Sequence, residues 1–230
     1  RASSAPPNAT AANLGKLALA ESPLIGTLTD NALYFAPLPA MRDAVQKGAI
    51  GQLNPLPWAI TVVSTVAWLM YAFAIANPFI VASNLPGAIA AVWMTASALS
   101  LMNTKEAQPV LKTLVLGTLS ALSLWVWVIF RSVPAPARIA WLGNYATALC
   151  VILFASPLST VGRVLKERSA ASIYAPSAVC QAVNGALWTA YGLFGIGDVY
   201  VWGPNATGLG LALLMLALKL VFPGPRSKGA

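Results

Sequence analysis

Two asparagines, Asn84 and Asn205, and two tryptophans, Trp68 and Trp188, lie inside long apolar stretches of the chain. A side-chain amide presents two donors and two acceptors, so an Asn pair suits a ligand whose hydroxyls both give and take hydrogen bonds. An indole offers a flat apolar face for the C–H face of such a ligand's ring. Ser64 and Asn184 each precede one of the tryptophans by four residues. On a helix each polar group therefore shares a face with its indole. Polar groups are costly in hydrocarbon and face the interior of a helix bundle, which makes these positions candidate binding residues. A plainer reading stands beside this one. Asn can serve as hydrogen-bonding glue between membrane helices, worth about 0.6–2 kcal/mol. Trp can anchor a helix at the membrane boundary, as Trp58, Trp141 and Trp202 do by position, whereas Trp68 and Trp188 fall deeper.

Asp30 lies seven residues before Pro37, within an expected span. An unpaired acid there is expensive, so Asp30 is read either as a contact for a proton or substrate, or as a residue at the watery mouth of its helix. Four prolines, Pro37, Pro57, Pro157 and Pro176, can each interrupt a helix, as hinges or as fixed bends. There is no histidine, no glycine-rich phosphate loop and no carboxylate pair at catalytic spacing. Cys150 and Cys180 lack metal or redox spacing and read as small packing residues. No catalytic residue, metal or cofactor is expected, and an enzyme is disfavoured.

The elements that must carry these side chains follow from composition. Of 230 residues, 58% are hydrophobic and 9% charged, against about 25% charged in soluble domains. Mean hydropathy is +0.72. About 20 apolar residues cross a bilayer as a helix. Seven such runs are read at 24–41, 56–76, 79–101, 110–130, 139–158, 175–194 and 201–222. A lipid-exposed backbone must bond internally, and long apolar runs mean helices where a barrel would show short alternating ones. The fold class is an all-α membrane protein of seven transmembrane helices.

The net charge of +8 belongs to span ends and not to nucleic acid recognition. Ten basic residues, Arg42, Lys47, Lys105, Lys112, Arg163, Lys166, Arg168, Lys219, Arg226 and Lys228, fall on one side, against Arg1, Lys16, Arg131 and Arg138 on the other. The C-terminus is expected in the cytoplasm, or the stroma in a plastid, and the N-terminus outside. The first residues, Arg1-Ala2-Ser3-Ser4, fit removal of a leader or a trimmed chain equally. Asn8-Ala9-Thr10 is a glycosylation sequon in the outer tail.

Sliding the chain by 120 residues superposes Leu33, Pro37 and Leu38 on Leu153, Pro157 and Leu158, and Trp68 and Tyr71 on Trp188 and Tyr191. With one residue of slip, Asn84 and Gly87 fall on Asn205 and Gly208. The expected organisation is a polar tail (1–23), a triple-helix unit (24–101), a linker helix with its connections (102–138), a second unit (139–222) and a tail (223–230). One intervening helix makes the two units parallel, which encloses a central pathway and points to a transporter.

Over roughly 24–222 the chain resembles the SWEET family of sugar transporters. The likeness rests on Phe35-Ala36-Pro37-Leu38, Trp68-Leu69-Met70-Tyr71, Ala155-Ser156-Pro157-Leu158, Trp188-Thr189-Ala190-Tyr191-Gly192 and Pro204-Asn205-Ala206-Thr207-Gly208. The resemblance implies two parallel three-helix bundles joined by a linker helix, 3+1+3, and facilitative bidirectional transport of a mono- or disaccharide by alternating access. It implies that Trp68, Trp188, Asn84 and Asn205 form the sugar pocket beside Ser64 and Asn184, and that Leu33 and Leu153 tune preference for sugar size. The four prolines match the family's proline tetrad, with Pro55 as an alternative to Pro57. Asp30 departs from the small or neutral residue usual at its position. The implied partners are a sugar and membrane lipids, with a homo-oligomer as one assembly. The competing reading is a non-transporting subunit of a larger membrane complex, and a seven-helix receptor is a third.

Overall fold

A computed structural model describes residues 7–223, with side chains from residue 21 onward. The sequon's side chains and the basic residues Arg1, Lys16, Arg226 and Lys228 lie outside what is described. Nine α-helices account for nearly all of the described chain, and no strand occurs among the described residues. They are α1 (Pro7–Phe35), α2 (Leu38–Lys47), α3 (Leu56–Ala74), α4 (Pro78–Ser100), α5 (Thr104–Phe130), α6 (Ala135–Leu153), α7 (Ala155–Glu167), α8 (Ala175–Ala190) and α9 (Val199–Val221).

Most boundaries have a local cause. Asn77 caps α4 by accepting from the backbone N–H of Phe79 and Ile80 at 3.1 and 3.2 Å. Asn103 and Glu106 form a capping box at the start of α5. Asp198 caps α9, its Oδ1 accepting from the Tyr200 N–H at 2.9 Å. Gly48, at φ 66°, closes α2 in the left-handed region that glycine enters without strain.

Three elements differ from the sequence expectation. α1 is helical from Pro7, where a polar tail was expected to run to residue 23. The first expected span, 24–41, is two helices, α1 and α2, parted at Ala36–Pro37, and the fifth, 139–158, is likewise α6 and α7, parted at Phe154. Pro37 and Pro157 lack the N–H that would reach the carbonyls of Leu33 and Leu153, so the first apolar run breaks at Pro37 and the second three residues before Pro157. Pro57 and Pro176, expected to kink their helices, instead occupy the first turns of α3 and α8. There a missing N–H removes no helical hydrogen bond, so neither bends its helix.

Past Ala190 the chain continues as a π-helical turn, Tyr191–Gly195, closed by the Ile196 N–H donating to the Tyr191 carbonyl at 3.0 Å. A π turn accommodates one residue more than an α turn. From Tyr71 to the cap Asn77 is six residues, and from Tyr191 to the cap Asp198 is seven. The π turn takes up that extra residue, and this is the slip that shifts the repeat from 120 to 121.

The chain is an integral, multi-pass membrane protein. Five stretches among the described residues are long and apolar enough to cross a bilayer: α3, α4, α5, the α6–α7 stretch and α9. The other two expected spans, in α1 and α8, are not among these five. α8 has only 16 residues before its π turn, and α1 carries Ser22, Thr27, Thr29, Asp30 and Asn31.

The helices pack so that α1 lies against α4 and α8, α3 against α4, α5 and α6, and α8 against α9. The main core joins Trp68, Tyr71 and Ile80 to Trp188, Tyr191 and Val201. α5 is the outlier: Leu111, Leu116, Leu119, Leu122, Trp125 and Phe130 are all exposed, the surface of a helix turned to lipid.

Candidate functional site

Six helices converge on one cavity of about 180 Å³, and α5 contributes nothing to it. α1 supplies Asp30 and Tyr34, α3 supplies Ser64 and Trp68, and α4 supplies Ile80, Ser83 and Asn84. Opposite them stand Cys150 and Leu153 of α6, Asn184 and Trp188 of α8, and Val201 and Asn205 of α9. Most of these residues come in repeat-related pairs: Asp30 with Cys150, Ser64 with Asn184, Trp68 with Trp188, Ile80 with Val201, Asn84 with Asn205. The cavity is thus lined mostly by repeat-related positions, of α1, α3 and α4 on one side and of α6, α8 and α9 on the other.

Eight of the residues singled out from the sequence reach this wall, and Leu33 does not. Neighbouring residues on a helix point about 100° apart, and Tyr34 takes the wall position that Leu33 leaves. Tyr34 is seated by a glycine on the facing helix. A Cβ on Gly87 would come within 2.5 Å of the Tyr34 ring. At the repeat-related Gly208, a Cβ would meet the Phe154 ring at an ordinary 3.4 Å.

The two asparagines are held alike. Asn84 Nδ2 donates to the Ile80 carbonyl at 2.9 Å and Asn205 Nδ2 to the Val201 carbonyl at 2.8 Å, each four residues back along its own helix. Anchoring the amide nitrogen leaves the oxygen as the group offered to a ligand. Asn84 Nδ2 also donates to Ser83 Oγ at 2.9 Å, and the Tyr34 hydroxyl lies 3.5 Å from its Oδ1. Asn205 Oδ1 has no partner among the described residues.

Asn184 is bonded at both ends of its amide to α1. Thr29 Oγ1 donates to its Oδ1 at 2.6 Å, and its Nδ2 donates to Asp30 Oδ1 at 2.7 Å. These bonds tie α1 to α8 through the cavity wall. On the equivalent interface of α6 with α3, Cys150 and Ser64 replace Asp30 and Asn184 and make no such link. Asp30 is the only acidic residue in the wall, and no lysine or arginine lines the cavity beside it. Among the described residues the one ion pair joins Lys47 to Asp43 on the surface.

Trp68 and Trp188 are 8% and 4% exposed, which places both inside the bundle rather than at its rim. Each meets the tyrosine three residues on edge to face, Trp68 with Tyr71 at 5.9 Å and Trp188 with Tyr191 at 5.8 Å. Trp188 Nε1 is buried with no hydrogen-bond partner, a rare condition for an indole N–H inside a protein.

One end of the cavity is closed by a second paired device that the sequence reading did not single out. Tyr71 Oη donates to Asp198 Oδ2 at 2.5 Å, and Asn77 Nδ2 donates to Tyr191 Oη at 2.8 Å. Each tyrosine therefore grips the capping residue of the other unit's last helix. The caps sit one turn from Ile80 and Val201, so the bonds seal the floor beneath the wall. Their signal in the sequence is an Asn or Asp just ahead of an apolar run, six or seven residues after a repeated Tyr. At the proline-bearing end, no side-chain hydrogen bond among the described residues joins the two units.

The family model described as sugar efflux transporter for intercellular exchange matches residues 23–107 and again 140–227, leaving α5 between the two matches. Sugar transporter SWEET1 of Caenorhabditis elegans is 25% identical over 85% of this chain, which spans 62% of that relative's length. Bidirectional sugar transporter SWEET11 of Oryza sativa subsp. japonica is 24% identical over 90% of this chain and 67% of its own length. Sugar transporter SWEET1 of Dictyostelium discoideum is 23% identical over 83% of this chain and 87% of its own. A solved structure of a eukaryotic SWEET transporter superposes with a TM-score of 0.81 at 21% identity, covering 91% of this chain and 98% of that one. That likeness shows the fold.

Proposed function

Since the chain belongs to the family of sugar efflux transporters for intercellular exchange, we propose that it carries a sugar across a membrane by alternating access, without an enzymatic step. The observation that carries this reading is a cavity walled by repeat-related residues, with the Tyr71–Asp198 and Asn77–Tyr191 bonds at one end of it. A passage built between two rocking units must hold its ligand at their interface and open one end at a time.

The chemistry of the walls suits a sugar. Trp68 and Trp188 offer apolar faces, and Asn84 and Asn205 offer amide oxygens to hydroxyls. At about 180 Å³ the cavity lies below the roughly 300 Å³ where pockets for drug-sized ligands begin. One sugar ring fits that space better than two, so we assign a monosaccharide.

The bonds of Tyr71 and Tyr191 lie at the ends of spans that the basic residues assign to the outer side. The sealed end then faces outward and the cavity faces the cytoplasm. The chain breaks at Pro37 and ahead of Pro157 serve as the bending points, with Pro57 and Pro176 as stiff helix starts beside them. Pro37, Pro57, Pro157 and Pro176 all fall at span ends that the basic residues assign to the inner side. The two units, 24–101 and 139–222, move against each other with α5 as the tether.

Reconstituted vesicles test the reading. Purified protein should equilibrate a labelled hexose across the bilayer, and Asn205→Ala should lower flux by at least tenfold while the protein stays monodisperse. Full flux in that variant would remove the cavity from the pathway.

A further inference from the structure

We propose that Asp30 makes the cavity selective for an amine-bearing sugar, its carboxylate taking the ammonium of a protonated amino sugar while Asn84 and Asn205 take ring hydroxyls. The inference rests on the reading of the cavity as a sugar site and names the class of sugar.

A neutral sugar needs no acidic side chain in its wall, and this wall holds one. The carboxylate has room for about four hydrogen bonds. Asn184 Nδ2 fills one of them at 2.7 Å, and the Ser83 hydroxyl beside it is a neutral donor. No lysine or arginine lines the cavity. A carboxylate taken out of water without a cation is strongly disfavoured, and a cationic ligand supplies what is missing. The amine and the carboxylate then form a charge-assisted hydrogen bond, about twice as strong as a neutral one.

Three further features favour this ligand over a bare cation. Trp68, Trp188 and Tyr34 put three aromatic rings in the cavity wall, and such a ring attracts an ammonium as well as a sugar's C–H face. The unpartnered Trp188 Nε1, buried in the same wall, is a donor still lacking an acceptor, which a ring hydroxyl oxygen provides. The charge is one-sided, because Cys150 occupies the equivalent place in the second unit. A ligand with one amine and several hydroxyls therefore binds in one orientation, its amine toward α1.

Binding of glucosamine, glucose and 2-deoxyglucose to the purified full chain, read by tryptophan fluorescence and by exchange flux in vesicles, tests the proposal. Glucosamine should bind about tenfold tighter than glucose or 2-deoxyglucose. The ratio of the glucosamine and glucose dissociation constants should collapse toward one in Asp30→Asn. It should also collapse in the unaltered protein once pH is raised until the ligand's amine is uncharged, which decides the matter if the variant does not fold. Parity of the three sugars, or a glucosamine preference that survives both changes, overturns the role of Asp30 while leaving the sugar site standing. Failure of all three to bind or move would instead overturn the sugar site itself.

Discussion

Tyr71 donates to Asp198 across 127 positions of sequence, joining the end of α3 to the first turn of α9 at 2.5 Å. The acceptor is also the cap of α9, so one carboxylate both starts a helix and holds the two units together. A charge-assisted bond of this kind contributes about 1.5–3 kcal/mol.

Tyr71→Phe removes the bond and keeps the ring packed on Trp68. Population of the outward-open form should rise by about tenfold or more. Cys150 is a natural reporter, since it lines the cavity. In a Cys180→Ala background, an impermeant thiol reagent added from outside should modify Cys150 faster in the variant. Equal rates would show that the bond does not gate the cavity.

The two asparagines should respond differently to truncation. Asn84 is buried and bonded to both Ile80 and Ser83, whereas Asn205 Oδ1 has no partner. Asn84→Ala takes the amide donor from the buried Ser83 Oγ and should lower stability by about 1–3 kcal/mol as well as flux. Asn205→Ala should lower flux with a shift in melting temperature near zero. Thermal unfolding followed beside vesicle uptake separates the two, and matched melting temperatures would contradict the asymmetry.

Trp188→Phe deletes the unpartnered N–H and keeps an aromatic face. Folded stability should hardly fall, because no internal hydrogen bond is lost. Sugar affinity should drop by several-fold if the N–H serves the ligand, about 0.5–1.5 kcal/mol. Trp188→Ala, which empties a site 4% exposed, should instead cost about 3–5 kcal/mol of stability. An unaltered affinity in Trp188→Phe would leave the indole as a wall alone.

Gly87→Ala forces a methyl within 2.5 Å of the Tyr34 ring, while Gly208→Ala finds its neighbour at 3.4 Å. The first should destabilise by about 1–3 kcal/mol and the second by far less. Unfolding midpoints of the two single variants decide it, and equal midpoints would refute the packing difference.

Much of this architecture was legible because duplication writes each functional position twice. Trp68 with Trp188 and Asn84 with Asn205 stand out once the chain is laid on itself, and all four reach the cavity. Leu33 was misplaced by one residue because spacing to a proline does not fix the rotation of the helix before it. The closing bonds of Tyr71 and Tyr191 are not legible in the sequence, because an Asn or Asp ahead of an apolar run marks a helix cap, and a cap's second partner depends on packing between helices far apart in the chain. The breaks after α1 and α6 were masked by unbroken hydropathy, which reports burial in lipid and is silent on backbone geometry. The prolines at 57 and 176 looked like those at 37 and 157, although they lie at helix starts, where the same ring does no harm.

The π-helical turn at Tyr191–Gly195 bears on how the two copies can be handled as parts. It adds one residue to the second copy's path from tyrosine to cap, so the copies have ceased to be interchangeable modules. A chimera carrying the second unit twice would set two π turns face to face, and one carrying the first unit twice would hold none. Only the mixed pairing joins Tyr71 to a carboxylate and Tyr191 to an amide. The molecule is therefore a heterodimer in all but its continuous backbone.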